Sequence, residues 1–448
     1  MEQLKACVEK HRKRILDAFA YFWQHPETGY REWKTAGYLQ NAFEELGYQV
    51  TTAGNIPGFY ADVDTGIPGP TVAVMGELDA LLCPTHPEAD PETGAVHCCG
   101  HAAQIAALLG VAAALREPEA LRGLSGKIRL MAVPAEELIE NEFRKSLKEQ
   151  GIIRYYGGKV ELMHRGWFDD VDIAFMIHTT YRPEGKAGYI PGGGNGCIVK
   201  ELKFQGVSAH AGGRPHEGVN ALYAANLAMN AVNALRETFQ DNQHIRFHPI
   251  ITSGGESVNA IPDKVRMESY VRGASMEAIV GENRKVNRAI AASAAAMGAN
   301  VRIRDIPGYH PIRNCPDLIP VMEQAMGDVL DTVICERNTI NGGCSDVGDL
   351  SSVMPMIHPY ISGAEGRSHG NDYRVTDPET ACVRSAQVQV NFLHRLLKDD
   401  AKVAKQVIRD FVPVYDSIDA YFRYMDALAI DVETVTYEAD GTVKLSYT

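Results

Sequence analysis

Three short apolar runs, separated by helix-forming sequence, most constrain what this chain can fold into. The runs are TVAVMGELDA at 71–80, KIRLMAVPAEE at 127–137 and DIAFMIHTT at 172–180. Between the first two lies AAQIAALLGVAAALRE, which has the Ala and Leu content of a helix. Strand, helix and strand alternate in this way in buried parallel sheets. The sequence therefore predicts an α/β domain whose active site lies beyond the carboxyl ends of its strands.

Side chains able to bind metal follow each of these runs. They are Glu77 and Asp79 after the first run, Glu136 and Glu137 after the second, His178 after the third, and His97, Cys99 and His101 at the start of the helix. Because they follow strands of one predicted sheet, we expect them to converge. Thiolate, imidazole and carboxylate together suit Zn or Mn. In the pair Glu136 and Glu137, one carboxylate can bind metal while its neighbour accepts a proton from water.

The stretch AVHCCGHAAQ at 95–104 also raises the alternatives of a disulfide and a structural zinc knuckle. The nine cysteines are scattered and odd in number, unlike a disulfide framework, and adjacent Cys98 and Cys99 would make a strained bridge. A zinc knuckle brings a second Cys or His pair roughly 12 to 20 residues away, and none follows. The stretch is therefore interpreted as one edge of a catalytic metal site.

Length and charge exclude several classes of protein. A chain of 448 residues exceeds one hydrophobic core, so we expect at least two domains. The formal charge of -13 argues against a nucleic-acid partner, which would call for clustered Lys and Arg. MEQLKACVEKHRKRILDAF has no apolar signal core, and no apolar run approaches the ~20 residues of a membrane span. We expect a cytoplasmic globular protein with no membrane partner.

A different pattern begins at Gly196. In chain order it comprises the strand CIVKELKFQGVSAH, a helix from GVNALYAAN, the strands IRFHPIITSG and DKVRMESYVRGA, a helix from SMEAIVGEN, and the strand ANVRIRDIPG. This β-α-β-β-α-β order is ferredoxin-like. We predict an inserted domain over 196–310, with 1–195 and 311–448 forming a discontinuous metal-binding catalytic domain. VTYEADGTVKLSY near the end predicts a hairpin with Asp-Gly in its turn.

The motifs GELDAL, HCCGH, VPAEE, SAHAGGRP and VNAIPD follow one another in an order typical of a known family. Over about residues 15–395 the chain resembles the M20 metallopeptidases, and its Cys-Gly-His motif resembles their amidohydrolase branch. SDVGDLS makes it most similar to the aminobenzoyl-glutamate utilization amidohydrolases. The resemblance implies an α/β catalytic domain of di-metal aminopeptidase type with a mixed, largely parallel sheet. It also implies a ferredoxin-like α+β lid through which a homodimer forms.

The resemblance further implies two divalent metal ions per subunit, Zn or Mn with Co as a further candidate. Their implied ligands are Cys99, His101, Glu137, His178 and His369. Glu136 would be the general base, taking a proton from the attacking water and passing it to the leaving amine. Asp79 would orient a ligand imidazole or cysteine. Two residues depart from the branch: Ala102 stands where the branch has Asp or Asn, and Gln104 stands where histidine is frequent. We interpret these departures as a change in the substrate pocket or in metal tuning.

Substrate-binding candidates lie mainly in the predicted lid. In the family the histidine equivalent to His210 points at the substrate, and here it would stabilise the oxyanion. Asn259 would bind the substrate carboxylate or the oxyanion. Arg272, Arg214 and Arg367 are further candidates for carboxylate recognition.

These residues predict a metal-dependent amidohydrolase that cleaves the amide between an acyl or aroyl group and an amino acid. A dipeptidase or aminoacylase using the same site is the alternative among enzymes. A binding protein that has lost catalysis, or a metal sensor or store, are alternatives of other classes. Retention of Glu136 argues against an inactive descendant, and a separate lid argues against metal storage.

Overall fold

The computed structural model describes residues 2–448, which divide into two compact units. The first comprises the chain up to Gly193 together with Ile312–Thr339 and Ser345–Asp416. The second comprises Gly194–Pro311, Ile340–Cys344 and Ser417–Thr448.

The helices are distributed along the whole chain. They are α1 Glu2–Glu9, α2 Arg12–Gln24, α3 Trp33–Glu45, α4 His101–Ala114, α5 Pro118–Leu121, α6 Asn141–Glu149, α7 Gly158–His164, α8 Ala221–Leu235, α9 Met276–Ala296, α10 Ile319–Gly327, α11 Val347–Ser351, α12 Ser385–Asp410 and α13 Ile418–Asp426. Within residues 2–448, none is long and apolar enough to cross a membrane.

The strands form mixed sheets. They are β1 Thr51–Thr52, β2 Phe59–Asp64, β3 Thr71–Glu77, β4 Leu81–Leu82, β5 Ala95–Val96, β6 Lys127–Val133, β7 Ile173–Phe175, β8 His178–Tyr181, β9 Ala187–Gly194, β10 Gly196–Gln205, β11 Arg246–Phe247, β12 Ile250–Ser253, β13 Lys264–Gly273, β14 Asn300–Pro307, β15 Ile312–Arg313, β16 Thr332–Asn341, β17 Met356–Ile357, β18 Tyr360–Glu365, β19 Arg374–Val375, β20 Ile430–Glu433, β21 Val435–Tyr437 and β22 Val443–Leu445.

The first unit is built on a six-stranded sheet in the order β1-β2-β6-β3-β7-β17. Strand β3 is parallel to both β6 and β7, whereas β2 is antiparallel to β6. Every residue of β3 is buried, and its central residues 72–75 are all apolar, as in strands covered on both faces. Every residue of α4 is buried as well, and its alanines let the helix approach the sheet closely. The predicted α/β domain with a mixed, largely parallel sheet is confirmed.

The third apolar run, predicted as one strand, is divided between two sheets. Its first part is β7 in the central sheet, and its second part is β8, which pairs in parallel with β18 in another sheet. His178 is therefore the first residue of β8 and does not follow the end of a continuous central strand. It still lies close beyond the carboxyl end of β7, because only Met176 and Ile177 separate it from that strand.

The second unit follows the predicted β-α-β-β-α-β order, except that the predicted strand IRFHPIITSG is divided into β11 and β12. Its sheet has the order β11-β13-β10-β14-β20, with β12 also pairing with β13. The side chains of Asn220 and Ser275 cap the N-termini of α8 and α9. The predicted tail hairpin is present as β21 and β22. The tail lies in this unit and not with the first one as expected, because β20 pairs antiparallel with β14. The action of this unit as a lid stays a prediction.

Candidate metal centre

The turn from Cys99 to His101 places two metal-binding side chains at the start of α4. Gly100 has φ +116°, and a Cβ at this position would lie 2.6 Å from the Tyr373 hydroxyl. Only glycine fits this turn without displacing Tyr373. The helix then begins at His101, which is buried beside Glu77 and Asp79.

His101 and His178 present the same ring nitrogen to the site. The Nδ1 atom of His101 is 2.8 Å from the Asp79 carbonyl oxygen, and that of His178 is 2.8 Å from the carbonyl oxygen of Thr179. Donation from Nδ1 to a carbonyl leaves Nε2 with a lone pair. The Nε2 of His178 lies 3.3 Å from the Cys99 sulfur. Both imidazoles are thus oriented as metal-binding histidines usually are.

Glu137 and His369 approach Cys99 from two other segments. The Glu137 backbone N–H donates to Asp79 Oδ2 at 2.9 Å, and its Oε1 is 3.2 Å from His369 Nε2. His369 has φ +62°, a conformation that is uncommon without glycine, and its N–H donates to the Cys98 carbonyl at 2.8 Å. A strained residue held by its surroundings is typical of functional sites.

The side chains form two groups that share Cys99. One is Cys99, His101 and His178, and the other is Cys99, Glu137 and His369. Within each group the potential ligand atoms lie within 4.8 Å of one another. The structure thus brings together all five side chains that the resemblance implied as ligands.

Cys99 and Cys98 are neighbours in very different electrostatic surroundings. Burial alone would raise the pKa of the Cys99 thiol, but His178 and His101 lower this pKa well below its usual value. Burial raises the pKa of Cys98 to about 12, and nearby thiols act in the same direction. Cys99 is therefore the thiolate of the pair, and a thiolate is the form that binds metal.

The carboxylates of Glu136 and Glu137 are crowded by other negative groups. Burial, followed by the charges of Glu137 and Glu77, raises the pKa of Glu136 well above its usual value. Burial and the Cys99 thiolate raise the pKa of Glu137. Glu136 follows Ala135, whose φ of +55° is also left-handed and whose N–H donates to Glu32 Oε1 at 2.8 Å. The strained backbone thus positions a buried carboxyl beside the candidate ligands.

A third group of possible ligands consists of Glu77, His101 and Glu136. Glu77 also contacts the fully buried Lys159, whose other carboxylate partner is Asp346. Burial alone would raise the pKa of Glu77, but Lys159 and then His101 lower it to about 2. Glu77 was among the side chains predicted to converge but not among the implied ligands, and Asp346, which lies in the motif SDVGDLS, was not predicted as a site residue. No sequence pattern marked Lys159.

The predicted substrate-binding residues are dispersed over both units. His210 and Asn259 come together in the second unit, where Ala211 N–H donates to the Asn259 carbonyl at 2.9 Å. Two backbone N–H groups, of Gly212 and Gly213, donate to His210 Nδ1, so the proton resides on its exposed Nε2.

The three arginines proposed for carboxylate recognition are already in contact with other side chains. Arg214 pairs with Glu217, and Arg367 pairs with Asp372 at 3.1 Å. Arg272 lies over the Tyr270 ring, 5.2 Å from its centroid. Arg214 and Arg367 are also largely exposed. Their role in substrate binding stays a prediction.

The donor set fits divalent cations. The buried Nε2 of His101 lies 3.1 Å from Glu77 Oε2, and the buried Oε1 of Glu137 lies 3.2 Å from His369 Nε2, but within residues 2–448 neither atom makes a hydrogen bond of normal geometry. Buried polar atoms of this kind require an explanation such as an ion. Thiolate, imidazole and carboxylate together favour a borderline metal over Mg or Ca.

Comparison with known proteins agrees with these features. The family model described as peptidase family M20/M25/M40 matches residues 59–398. An Xaa-Arg dipeptidase of Mus musculus is 29% identical over 369 residues, covering 78% of this chain and 77% of its own length. One of the p-aminobenzoyl-glutamate hydrolase subunits of Escherichia coli K12 is 31% identical over 280 residues, covering 60% of this chain and 53% of its own length.

A solved structure supports the fold. The Bacillus subtilis YXEP protein, described as a dinuclear metal-binding peptidase of the M20 family, has a TM-score of 0.64 and 20% identity. The match covers 87% of this chain and 99% of that one. The two chains share the mixed α/β architecture.

Proposed function

We propose that this chain, which belongs to peptidase family M20/M25/M40, hydrolyses the amide bond between an acyl or aroyl group and an amino acid, using two divalent metal ions. The observation that carries the proposal is the pair of three-residue groups joined through Cys99. Two adjoining groups with one shared thiolate are suited to two ions. Members of this peptidase family hydrolyse C–N amide bonds.

The proposed ligands are Cys99, His101, Glu137, His178 and His369, and Zn or Mn is the proposed metal. Bound ions would polarise the scissile carbonyl and lower the pKa of the attacking water. His369 is about half exposed, whereas the other four are largely buried, so the site has an open side at His369. We propose that substrate enters from that side.

Glu136 is the proposed general base. Its carboxylate lies 3.9 Å from His101 Nε2 and next to the candidate ligands, so it can accept a proton from water there. Glu136 would then deliver the proton to the leaving amine. Asp79 supports both sides of the site, because one oxygen accepts the Glu137 N–H and the other lies 3.3 Å from His101 Nδ1. Asp79 is therefore a positioning residue in this proposal.

His210 and Asn259 are the proposed substrate-binding residues of the second unit. His210 has its exposed Nε2–H available as a donor, because Nδ1 accepts hydrogen bonds from its own loop. Such a donor can stabilise an oxyanion. Substitution of His210 by Ala is expected to lower kcat more than it raises KM.

The substrate proposal names an aminobenzoyl-glutamate-like compound or another N-acyl-amino acid. The similarity to the Escherichia coli aminobenzoyl-glutamate hydrolase supports this class. A dipeptidase is the second candidate, favoured by the similarity to an Xaa-Arg dipeptidase over a larger share of the chain. Both reactions use the same site, so the substrate alone separates them.

The test combines elemental analysis of the purified protein with a substrate panel. The panel contains aminobenzoyl-glutamate, hippurate, acetyl-amino acids, and dipeptides with and without a C-terminal arginine. We expect two ions per chain and cleavage of one class that a chelator abolishes. Absence of both metal and cleavage after incubation with Zn, Mn or Co would contradict the proposal and favour a binding protein.

Two variants separate metal binding from proton transfer. Glu136→Gln should keep both ions and lower kcat by about 10² to 10⁴. Cys99→Ala should lose metal as well as activity, and Cys98→Ala is its matched control because Cys98 is in neither group. Full activity in Glu136→Gln or Cys99→Ala would refute the corresponding role.

A homodimer through the second unit is also proposed. Strand β12 pairs with β13 and is exposed along its whole length, with Ile250 62% exposed. Tyr223 on α8 of the same unit is 61% exposed. Ile250→Lys is expected to yield monomers in light scattering, whereas Ile67→Lys in the first unit should leave the mass unchanged. A cytoplasmic location stays a prediction.

A further inference from the structure

Lys159 is a fully buried lysine held between two carboxylates. Its Nζ lies 2.5 Å from Glu77 Oε1 and 2.5 Å from Asp346 Oδ1, and neither carboxylate is accessible. The backbone N–H of Lys159 donates to the other oxygen of Asp346 at 2.7 Å. Asp346 thus holds both the backbone and the ammonium of Lys159, which directs the ammonium at Glu77.

The position of Lys159 is also determined by its backbone. Lys159 lies in the first turn of α7, directly after Gly158. A Cβ on Gly158 would collide with the Pro134 carbonyl oxygen, and Gly158 N–H donates to the Ala135 carbonyl at 3.1 Å. The start of α7 is therefore packed against the segment that leads into Glu136.

Glu77 has a hydrogen-bond donor on each oxygen. Lys159 contacts Oε1, and Gln104 Nε2 donates to Oε2 at 2.8 Å. The same Oε2 lies 3.1 Å from His101 Nε2, the nitrogen that faces the candidate metal site. Glu77 is thus close enough to join the ligands, but both of its oxygens are already occupied.

Among the residues that the structure describes, three groups could hold a metal ion. In one of these groups a carboxylate contacts the Lys159 ammonium. Glu77, His101 and Glu136 form the group that includes a carboxylate in contact with an ammonium. An ammonium and a metal ion compete for one carboxylate and repel each other at close range. The other two groups contain Cys99, and their one carboxylate, Glu137, faces the His369 imidazole.

We propose that Lys159 is a positioning residue that, together with Gln104, withholds Glu77 from the metal ions. The inference rests on the proposed two-metal function. Without Lys159, the Glu77 carboxylate would turn to the ion at His101 as an additional ligand. An additional anionic ligand binds the ion more tightly and makes it a weaker Lewis acid. The inference also gives a role to Gln104, one of the departures from the family pattern.

The decisive variant is Lys159→Met, which keeps the length of the side chain and removes the charge. We expect the affinity of the metal-free protein for Zn, measured against a chromophoric chelator, to rise about tenfold, a typical size for groups behind the ligands. We expect kcat to fall about tenfold with KM changed less. A purely structural role would lower metal affinity, activity and melting temperature together.

Two further variants test the part played by Glu77. Lys159→Met/Glu77→Gln should lose the gain in Zn affinity, because a neutral amide is a poorer ligand. Gln104→Leu keeps Lys159 and releases the other oxygen of Glu77, so it should raise Zn affinity in the same direction by a smaller factor. It replaces the first variant if Lys159→Met does not fold.

Lys200→Met is the matched control, because Lys200 is equally buried and pairs with Asp305 in the second unit. It should leave Zn affinity unchanged. Unchanged or weaker Zn binding by both Lys159→Met and Gln104→Leu, with two ions on the wild type, would overturn this inference alone. Absence of Zn binding by the wild type would overturn the proposed function and this inference with it.

Discussion

Each unit of the molecule contains a lysine with no accessible side-chain surface, and the two are paired differently. Lys159 in the first unit contacts the carboxylates of Glu77 and Asp346. Lys200 in the second unit contacts the Asp305 carboxylate and the side-chain oxygen of Asn287. One lysine has two anionic partners and the other has one anionic and one neutral partner.

The difference appears in their protonation. Burial alone would lower the pKa of Lys159, but Asp346 and Glu77 raise it well above its usual value. Burial lowers the pKa of Lys200, and Asp305 compensates only in part. The lysine with two carboxylate partners therefore has a raised pKa, and the lysine with one has a lowered pKa. Lys159 adjoins the candidate metal centre. Lys200 lies in β10 and contacts side chains of β14 and α9, in a core that contains no proposed metal ligand.

The largest expected effect on the free energy of unfolding comes from neutralising one carboxylate partner of each lysine. Asp305→Asn should lower the free energy of unfolding by about 3–5 kcal/mol, because Lys200 is left buried without the carboxylate it contacts. Asp346→Asn should cost about 1–2 kcal/mol, because Glu77 still pairs with Lys159. Calorimetry of both variants measures the losses. Equal losses would show that the number of carboxylates does not matter.

Metal removal should affect the two units unequally. All five proposed ligands belong to the first unit, so bound ions would stabilise that unit by about 4 kcal/mol when present at 1,000 times their Kd. Hydrogen exchange with and without a chelator should show faster exchange in α4 and β3 and little change in α9 and β10. Equal acceleration in both units would contradict this difference.

Two glycines, one next to Lys159 and one in α9 of the second unit, provide a smaller test of local packing. Gly158 adjoins Lys159 and faces the Pro134 carbonyl, whereas Gly281 lies in α9 with nothing within 4 Å of an added Cβ. Gly158→Ala should destabilise by about 1–3 kcal/mol through the clash. Gly281→Ala should stabilise by about 1 kcal/mol through helix propensity. Melting temperatures that move in the same direction would contradict this contrast.

The smallest expected effect is a dependence of stability on pH. The pKa of Lys200 is lowered from its usual value of 10.5, so the unfolded chain binds more protons between the two pKa values. Lys200 therefore makes stability rise with pH in that window, by about 1 kcal/mol per unit or less. The pKa of Lys159 is raised, so its contribution is complete below 10.5 and is lost only above it.

Urea unfolding at a series of pH values below 10.5 tests this sign. The double variant Lys200→Met/Asp305→Leu removes the pair without leaving an unpaired carboxylate, and its stability should rise less steeply with pH than that of the wild type. An unchanged slope would show that Lys200 keeps an ordinary pKa in the folded protein.

Much of the fold could be predicted from local sequence. The apolar runs that became β3 and β6 are buried on both faces, and such strands need no alternation with polar residues. The order of elements from β10 to β14 was also readable, because each has its own periodicity and its helices carry N-caps. The division of the third run into β7 and β8 depended on pairing with distant strands, which a local pattern does not record.

For the candidate site, too, local sequence indicated the residue types but not the contacts between distant segments. Cys99, His101, Glu136 and Glu137 lie in short motifs whose residue types indicate metal chemistry, so the sequence by itself determined the kind of site. His369 was chosen through family resemblance, and its approach to Glu137 depends on a left-handed backbone held by Cys98. Lys159 had no motif at all.

The sequence by itself determined which side chains could bind metal or carry charge. The tertiary structure decided which carboxylates contact the same lysine ammonium. Glu77, Lys159 and Asp346 are far apart along the chain, and only packing removes water from all three at once. In water an exposed lysine has little effect on a distant carboxylate, because solvent screens the charges. Once the three are buried in contact, the ammonium lowers the pKa of Glu77 and, in our proposal, decides which carboxylates the metal ions can reach.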